Sequence, residues 1–319
     1  MKYTRAVSLV FACLAMAVAS LVTQAQQSAP SPTAAGPRVE LPLIITGKSR
    51  EPVTSLGKDE IRVIEDRVEQ IVESVEPDIR ATDYGLVIDG SGSLRSTMLD
   101  VVTAARLIIE NRRPTDQVFV EQFVTSDLIT ILQDFSVDNK ALIDSLKTIR
   151  IAPGPTAVID GVYFAAEHLV ARHKNTTDRR RVLVVITDGE DRGSSRRLND
   201  LTTFLREQDI QVFVIGFMDE LDRAAGVVRR SPRSRAEELL KKLAEETGGR
   251  VFFPHKRSEV TDGATQISQD LRSLFRITYQ SQDSTSTGFR KVQVKLISPA
   301  GRTAIVPRGY YVEAKDTKP

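Results

Sequence analysis

The stretch Tyr84-Gly-Leu-Val-Ile-Asp89-Gly-Ser91-Gly-Ser93-Leu-Arg95 sets one carboxylate and two hydroxyls at alternate positions, directly after an apolar run. Residues two apart in an extended segment point to the same side. Asp89, Ser91 and Ser93 would then form a cluster of hard oxygen atoms, the kind that holds Mg²⁺, Mn²⁺ or Ca²⁺. Gly90 and Gly92 let the backbone turn tightly and approach a bound group. Three oxygens are too few for such an ion, and two further loops offer candidates. Gly154-Pro-Thr156 puts a hydroxyl at the start of a helix-like stretch. Thr187-Asp188-Gly-Glu-Asp191 ends a second apolar run in a carboxylate followed by glycine.

These loops must meet for the chemistry to work, so the elements around them decide the matter. Tyr84 to Ile88, Val182 to Ile186 and Val212 to Phe217 are short apolar runs typical of strands buried on both faces. Between Ser96 and Asn111 the apolar residues Met98, Val101, Val102, Ala105, Ile108 and Ile109 follow one helical face. Val118 to Phe123 and Ile129 to Leu132 read as a pair of strands, and Asp138 as the cap of a helix running to Ile149. Helices are expected over Thr156 to His173, Leu198 to Gln208 and Arg235 to Glu246, the last stopped by Gly248-Gly249. Val251 to Phe253 reads as a short strand, and Glu259 to Phe275 as a closing helix. Such alternation predicts an α/β fold: a doubly wound, mainly parallel sheet with helices on both faces, of Rossmann-like layout. In that architecture functional groups gather at the carboxyl ends of the strands. Asp89 and Asp188 would leave the same edge if their strands are neighbours.

The order Asp89-x-Ser91-x-Ser93, then Thr156, then Asp188 resembles the von Willebrand factor type A (VWA) domain. The five residues match its metal-ion-dependent adhesion site (MIDAS), and the likeness covers roughly Asp83 to Phe275. It implies that Ser91, Ser93 and Thr156 coordinate a divalent cation, most simply Mg²⁺ with Mn²⁺ or Ca²⁺ as substitutes, directly or through water. Asp89 and Asp188 then contribute directly or as outer acceptors. It also implies a protein partner that offers an exposed Asp or Glu to an open coordination position.

Flanking segments alternate apolar and polar residues. Arg38 to Ile45, Ile61 to Ile64 and Gln70 to Val75 read as strands before the α/β region. Arg276 to Gln280, Arg290 to Ile297 and Thr303 to Val306 read as strands after it, with Ser298-Pro-Ala-Gly301 as a hairpin turn between the last two. Neither flank has enough apolar surface to fold alone. They are expected to pair into one small β-rich module, giving 38–80 and 276–315 as flanks of a VWA domain at 83–275. These flanks are similar to those of exported bacterial proteins with a VWA-related domain, of the kind common in acidobacteria.

Residues 1–25 have the form of a secretory signal, with Lys2 and Arg5 before an apolar run from Val7 to Val22 and Ala25 at a cleavage position. Residues 26–37 form a Gln-, Ser- and Pro-rich linker. An uncleaved N-terminal anchor is the alternative. The one cysteine, Cys13, falls within the signal, so a cleaved chain has no disulfide, thiolate metal site or thiol nucleophile. A periplasmic or secreted location follows. The chain has 319 residues, 41% hydrophobic and 27% charged, with net charge +2, which gives no reason to expect nucleic acid. Arg179-Arg180-Arg181 and the Arg192 to Arg197 cluster carry no interleaved aromatics and read as solvated faces.

The functional expectation is an exported, metal-dependent protein-binding module for adhesion or scaffolding, with no catalytic residues. One alternative is a Mg²⁺-dependent phosphotransfer enzyme or hydrolase. A phosphatase of that architecture needs a second acid two residues after its aspartate, and that position is Ser91. P-loop, HExxH and GxSxG patterns are missing from the sequence. A structural envelope protein with a vestigial metal site is the other alternative.

Overall fold

The computed structural model describes residues 36–48, 51–172, 178–219, 221 and 231–312. The signal segment, all but the end of the linker, His173 and residues 313–315 lie outside them. Strands β1 (Arg38–Thr46), β2 (Ile61–Glu65), β3 (Val68–Gln70) and β4 (Val72–Pro77) lead into β5 (Ala81–Asp89). Then come α1 (Met98–Asn111), β6 (Gln117–Thr125), β7 (Leu128–Ser136), α2 (Asn139–Leu146), α3 (Val158–Arg172) and β8 (Arg179–Thr187). α4 (Leu198–Glu207), β9 (Ile210–Gly216), α5 (Pro232–Thr247), β10 (Val251–Phe252) and α6 (Arg257–Arg272) complete the α/β region. The chain ends with β11 (Phe275–Gln280), β12 (Gly288–Leu296), β13 (Thr303–Ile305) and β14 (Gly309–Val312).

The central sheet has the order β10-β9-β8-β5-β6-β7. All neighbours run parallel except β7, which folds back antiparallel on β6. Burial on both sheet faces explains the apolar runs. Leu86 and Ile88 point into a cluster with α1 and α6, while Val87, Leu183 and Val185 point into another with α3, α4 and α5. β5 pairs β8 on one side and β6 on the other, so the strand order reverses around β5. That switch point opens a crevice at the carboxyl edge, where helices leave in opposite directions. The register aligns Ile88 with Ile186, so Asp89 and Thr187 end side by side.

The flanking strands form two four-stranded sheets, β13-β1-β11-β4 and β14-β12-β2-β3, each built from both ends of the chain. Their shared core includes Leu41, Leu43, Ile45, Val63, Ile277 and Tyr279. At its centre lies an ion pair. Glu65 accepts hydrogen bonds from Ser281 Oγ at 2.6 Å, Tyr279 Oη at 2.8 Å, Tyr310 Oη at 2.9 Å and Arg290 Nη1 at 3.1 Å. Glu65 is 3% exposed and Arg290 2%. Burying two charges is tolerable only when their lone pairs and protons are this well occupied.

Four details depart from the reading of the sequence. Ser298–Gly301 does not close a hairpin: β12 pairs with β14 and β2, whereas β13 crosses to the other sheet and pairs with β1. The closing helix stops at Arg272, and Phe275 already pairs with Leu43 and Pro77 in β11. β14 was not anticipated, because Gly309-Tyr-Tyr-Val312 is too short to show alternation. Arg180 is not solvated: it is 5% exposed and both terminal nitrogens lack a hydrogen-bond partner, while Arg179 pairs with Asp83.

Candidate metal centre

Asp89, the last residue of β5, is fully buried. Its Oδ1 accepts the Ser91 backbone N–H at 2.8 Å, which folds the loop back over the strand end. Its Oδ2 accepts the Thr187 hydroxyl at 2.6 Å from the end of β8. The Thr187 Oγ1 in turn accepts the Gly189 N–H at 2.9 Å. Gly189 has φ of +76°, a left-handed value that turns the chain sharply after Asp188. Ser91 and Ser93 hydroxyls lie 2.9 Å apart. A Cβ on Gly90 would sit 2.0 Å from Gln122 Nε2 and 3.0 Å from the Arg150 carbonyl, so a side chain there would displace Gln122 from its bonds to Arg150; Gly92 faces open space.

Asp188 is fully buried beside this loop. Its Oδ1 accepts the Glu190 N–H at 2.9 Å, and its Oδ2 is buried without a hydrogen-bond partner. Burial pushes the Asp89 carboxyl up to about 7, and the charge of Asp188 adds to the push; the Thr187 and Ser91 hydroxyls pull the other way. Asp188 is raised as well, chiefly by burial, with the Ser93 hydroxyl and the Glu190 N–H opposing. Two buried carboxylates that repel each other, one with an orphaned oxygen, are costly unless a cation compensates them. The donor set of two carboxylates and several hydroxyls fits a hard divalent ion.

Thr156 is 5% exposed, in the loop before α3. Backbone contacts tie it to the Asp188 loop: its carbonyl accepts the N–H groups of Arg192 and Gly193, each at 2.9 Å. The following Ala157 N–H binds the Val124 carbonyl of β6 at 3.1 Å. Asp89, Ser91 and Ser93 are linked through side chains, the Ser93 hydroxyl reaches Asp188, and Thr156 is tied by main-chain bonds to the loop that follows Asp188.

Sequence reasoning missed the residues that join these loops. Thr187 bridges the two strand ends, and nothing in a Thr before an Asp announces it. Asp191 is not a loose loop charge: it accepts the Ile159 N–H at 3.3 Å and the Ser194 hydroxyl at 2.5 Å. Asp160 in the first turn of α3 accepts the Ser195 and Arg196 N–H groups at 2.7 and 3.0 Å. These side chains fasten the Asp188 loop to α3 and fix the position of Thr156. His168 and His255 stand apart from the centre, each hydrogen-bonded to an aspartate, Asp134 and Asp219. A crevice of about 560 Å³ opens at the opposite edge of the sheet, lined by Arg38, Arg180, Asp209 and Tyr310 among others, and is unrelated to this cluster.

The sequence profile of the von Willebrand factor type A domain matches residues 83–269, more than half the chain. The chain belongs to the von Willebrand factor type A domain family. Solved structures of similar fold include an aerotolerance-related membrane protein from Bacteroides fragilis, 18% identical over 59% of this chain and 98% of its own, with TM-score 0.46. BatB from Bacteroides thetaiotaomicron is 17% identical over 60% of this chain and 100% of its own, with TM-score 0.46. Proximal thread matrix protein 1 of the mussel byssus, solved with a zinc-occupied MIDAS motif, is 15% identical over 66% of this chain and 50% of its own, with TM-score 0.46. A comparison with curated proteins found no match. Within this VWA protein, the matched region spans Asp89, Ser91, Ser93, Thr156 and Asp188. The flanking sheets fall largely outside it.

Proposed function

We propose that this VWA protein is an exported binding module that captures an acidic side chain of a protein partner through a divalent cation held by Asp89, Ser91, Ser93, Thr156 and Asp188. The buried, unpartnered oxygen of Asp188 beside the equally buried Asp89 is the observation that carries this reading. Mg²⁺ is the natural occupant, with Mn²⁺ or Ca²⁺ able to replace it, because the donors are all oxygen. When bound, the cation supplies electrophilic character toward an incoming carboxylate. The chain does the rest: Asp89 and Asp188 provide the charge that retains the ion, and the three hydroxyls ligate without neutralising it further. Thr187 and the Ser91 N–H orient Asp89. The paired flanks at 38–80 and 276–315 present the VWA domain as a β-rich support, and the signal at 1–25 directs the chain to the periplasm or beyond. No helix among the described residues is long and apolar enough to cross a membrane.

A non-enzymatic role is part of this reading. Isothermal calorimetry of the signal-free chain with Mg²⁺, Mn²⁺ and Ca²⁺ tests the proposal. Saturable uptake that is lost in Asp89→Ala supports it, and well-folded protein that takes up none of the three ions overturns it. Capture of a partner from the native envelope should disappear with chelator.

A further inference from the structure

Two arginines stand beside the candidate metal centre without an ion-pair partner among the described residues. Arg95 lies two residues beyond Ser93, in the 3₁₀ turn Gly92–Ser96, and is exposed. Arg150 is exposed as well, and its backbone is packed against the same loop. Its N–H donates to Gln122 Oε1 at 3.1 Å, its carbonyl accepts from Gln122 Nε2, and a Cβ on Gly90 would sit 3.0 Å from that carbonyl. Two residues on, the Ala152 N–H donates to the Gly90 carbonyl at 3.0 Å, and Ala152 forms a β-bridge with Ser91. Arg150 is thereby fixed alongside the loop of Ser91 and Ser93. Neither guanidinium has a hydrogen-bond or ion-pair partner among the described residues, and neither stacks on an aromatic ring.

The acids of the Asp89 and Asp188 loops are otherwise engaged, and Asp127, in the turn between β6 and β7, is bonded by the Thr125 hydroxyl. Asp89 and Asp188 face inward, Glu190 is bound by Arg192, and Asp191 caps α3. A divalent cation between Asp89 and Asp188 cancels their two charges, so Arg95 and Arg150 leave the face of the site positive. Guanidinium groups favour planar, two-point pairing with carboxylates.

Resting on the metal-site reading above, we infer that the partner segment is acidic beyond the single residue that reaches the cation. Arg95 and Arg150 receive the additional carboxylates on either side. The partner is then an acid-rich stretch of protein surface, not an isolated Asp or Glu in a neutral surrounding.

The test uses the signal-free chain loaded with Mn²⁺ and two synthetic nonapeptides of Gly and Ser. One carries a single central Glu; the other carries that Glu with an Asp two residues to each side. Calorimetry is run on the unaltered protein, on Arg95→Gln, on Arg150→Gln and on Arg62→Gln, an exposed arginine of β2 in the flanking sheets. The three-acid peptide is expected to bind more tightly, and its advantage should fall about two- to fivefold for each of the first two substitutions. It should shrink further between 50 and 300 mM salt, where screening of exposed charges is strong. Mn²⁺ uptake and Arg62→Gln should show no change. Equal affinity for both peptides, or an advantage that survives Arg95→Gln with Arg150→Gln while Mn²⁺ still binds, overturns this inference and leaves the metal site standing. Failure of Mn²⁺ uptake overturns both.

Discussion

The hydroxyl of Thr187 donates to Asp89 Oδ2 at 2.6 Å while its own oxygen accepts the Gly189 N–H, so one side chain ties the two strand ends of the candidate metal centre together. This bond exists only because β5 and β8 are neighbours in register.

Thr187→Val keeps the shape and removes the bond. It frees Asp89 to rotate and leaves the buried Gly189 N–H unpaired. Loss of a bond that orients a ligand typically weakens metal binding by about 10- to 100-fold, and an unsatisfied buried donor costs about 1–3 kcal/mol. Calorimetry with Mn²⁺ and urea unfolding should show both effects together, whereas a packing role alone would leave affinity unchanged.

Asp89→Asn should separate stability from function. The metal-free protein buries two carboxylates that repel each other, and neutralising one relieves that repulsion. Unfolding of the metal-free variant should be harder by roughly 1–3 kcal/mol, yet Mg²⁺ should no longer raise its Tm. Thr156→Ala should instead retain the metal-free stability and weaken partner binding. A metal-free Asp89→Asn protein less stable than the parent would contradict the electrostatic account.

Glu65, from the N-terminal flank, anchors the flanking sheets through four donors of the C-terminal flank. Glu65→Ala strands Arg290 as an uncompensated buried charge and should cost about 3–5 kcal/mol. Replacing both by methionine should recover most of that loss in denaturant titration. A cost below 1 kcal/mol for the single change would mean that water reaches Arg290.

Glu121, in the middle of β6, is fully buried, and neither carboxylate oxygen has a partner. Burial raises its pKa well above the ordinary 4.5. A raised acid favours the folded state while protonated, so its contribution is complete below about pH 4.5 and declines as pH rises toward its folded value. Glu121→Met should therefore be more stable than the parent at pH 8 by about 1–4 kcal/mol, with the difference shrinking toward pH 4. Equal pH slopes for the two proteins would show that Glu121 is solvated.

The candidate ligands were legible in the sequence because their pattern is local. Asp89, Ser91 and Ser93 fall within five consecutive positions, and Asp188 follows its own apolar strand, so type and spacing expose them. The alternation of strand and helix likewise exposes the doubly wound sheet, since burial on one or two faces imprints a period on the chain. The residues that make the site rigid were not legible. Thr187, Asp160, Asp191 and Gln122 act on partners 28 to 98 residues away, and no local pattern records a bond of that span. The same holds for Glu65 and Arg290, 225 residues apart, and for β13, which leaves its neighbour β12 to pair with β1. Local periodicity encodes which face of an element is buried; which element covers it is decided only when distant segments compete for the same surface, and that competition is settled in three dimensions.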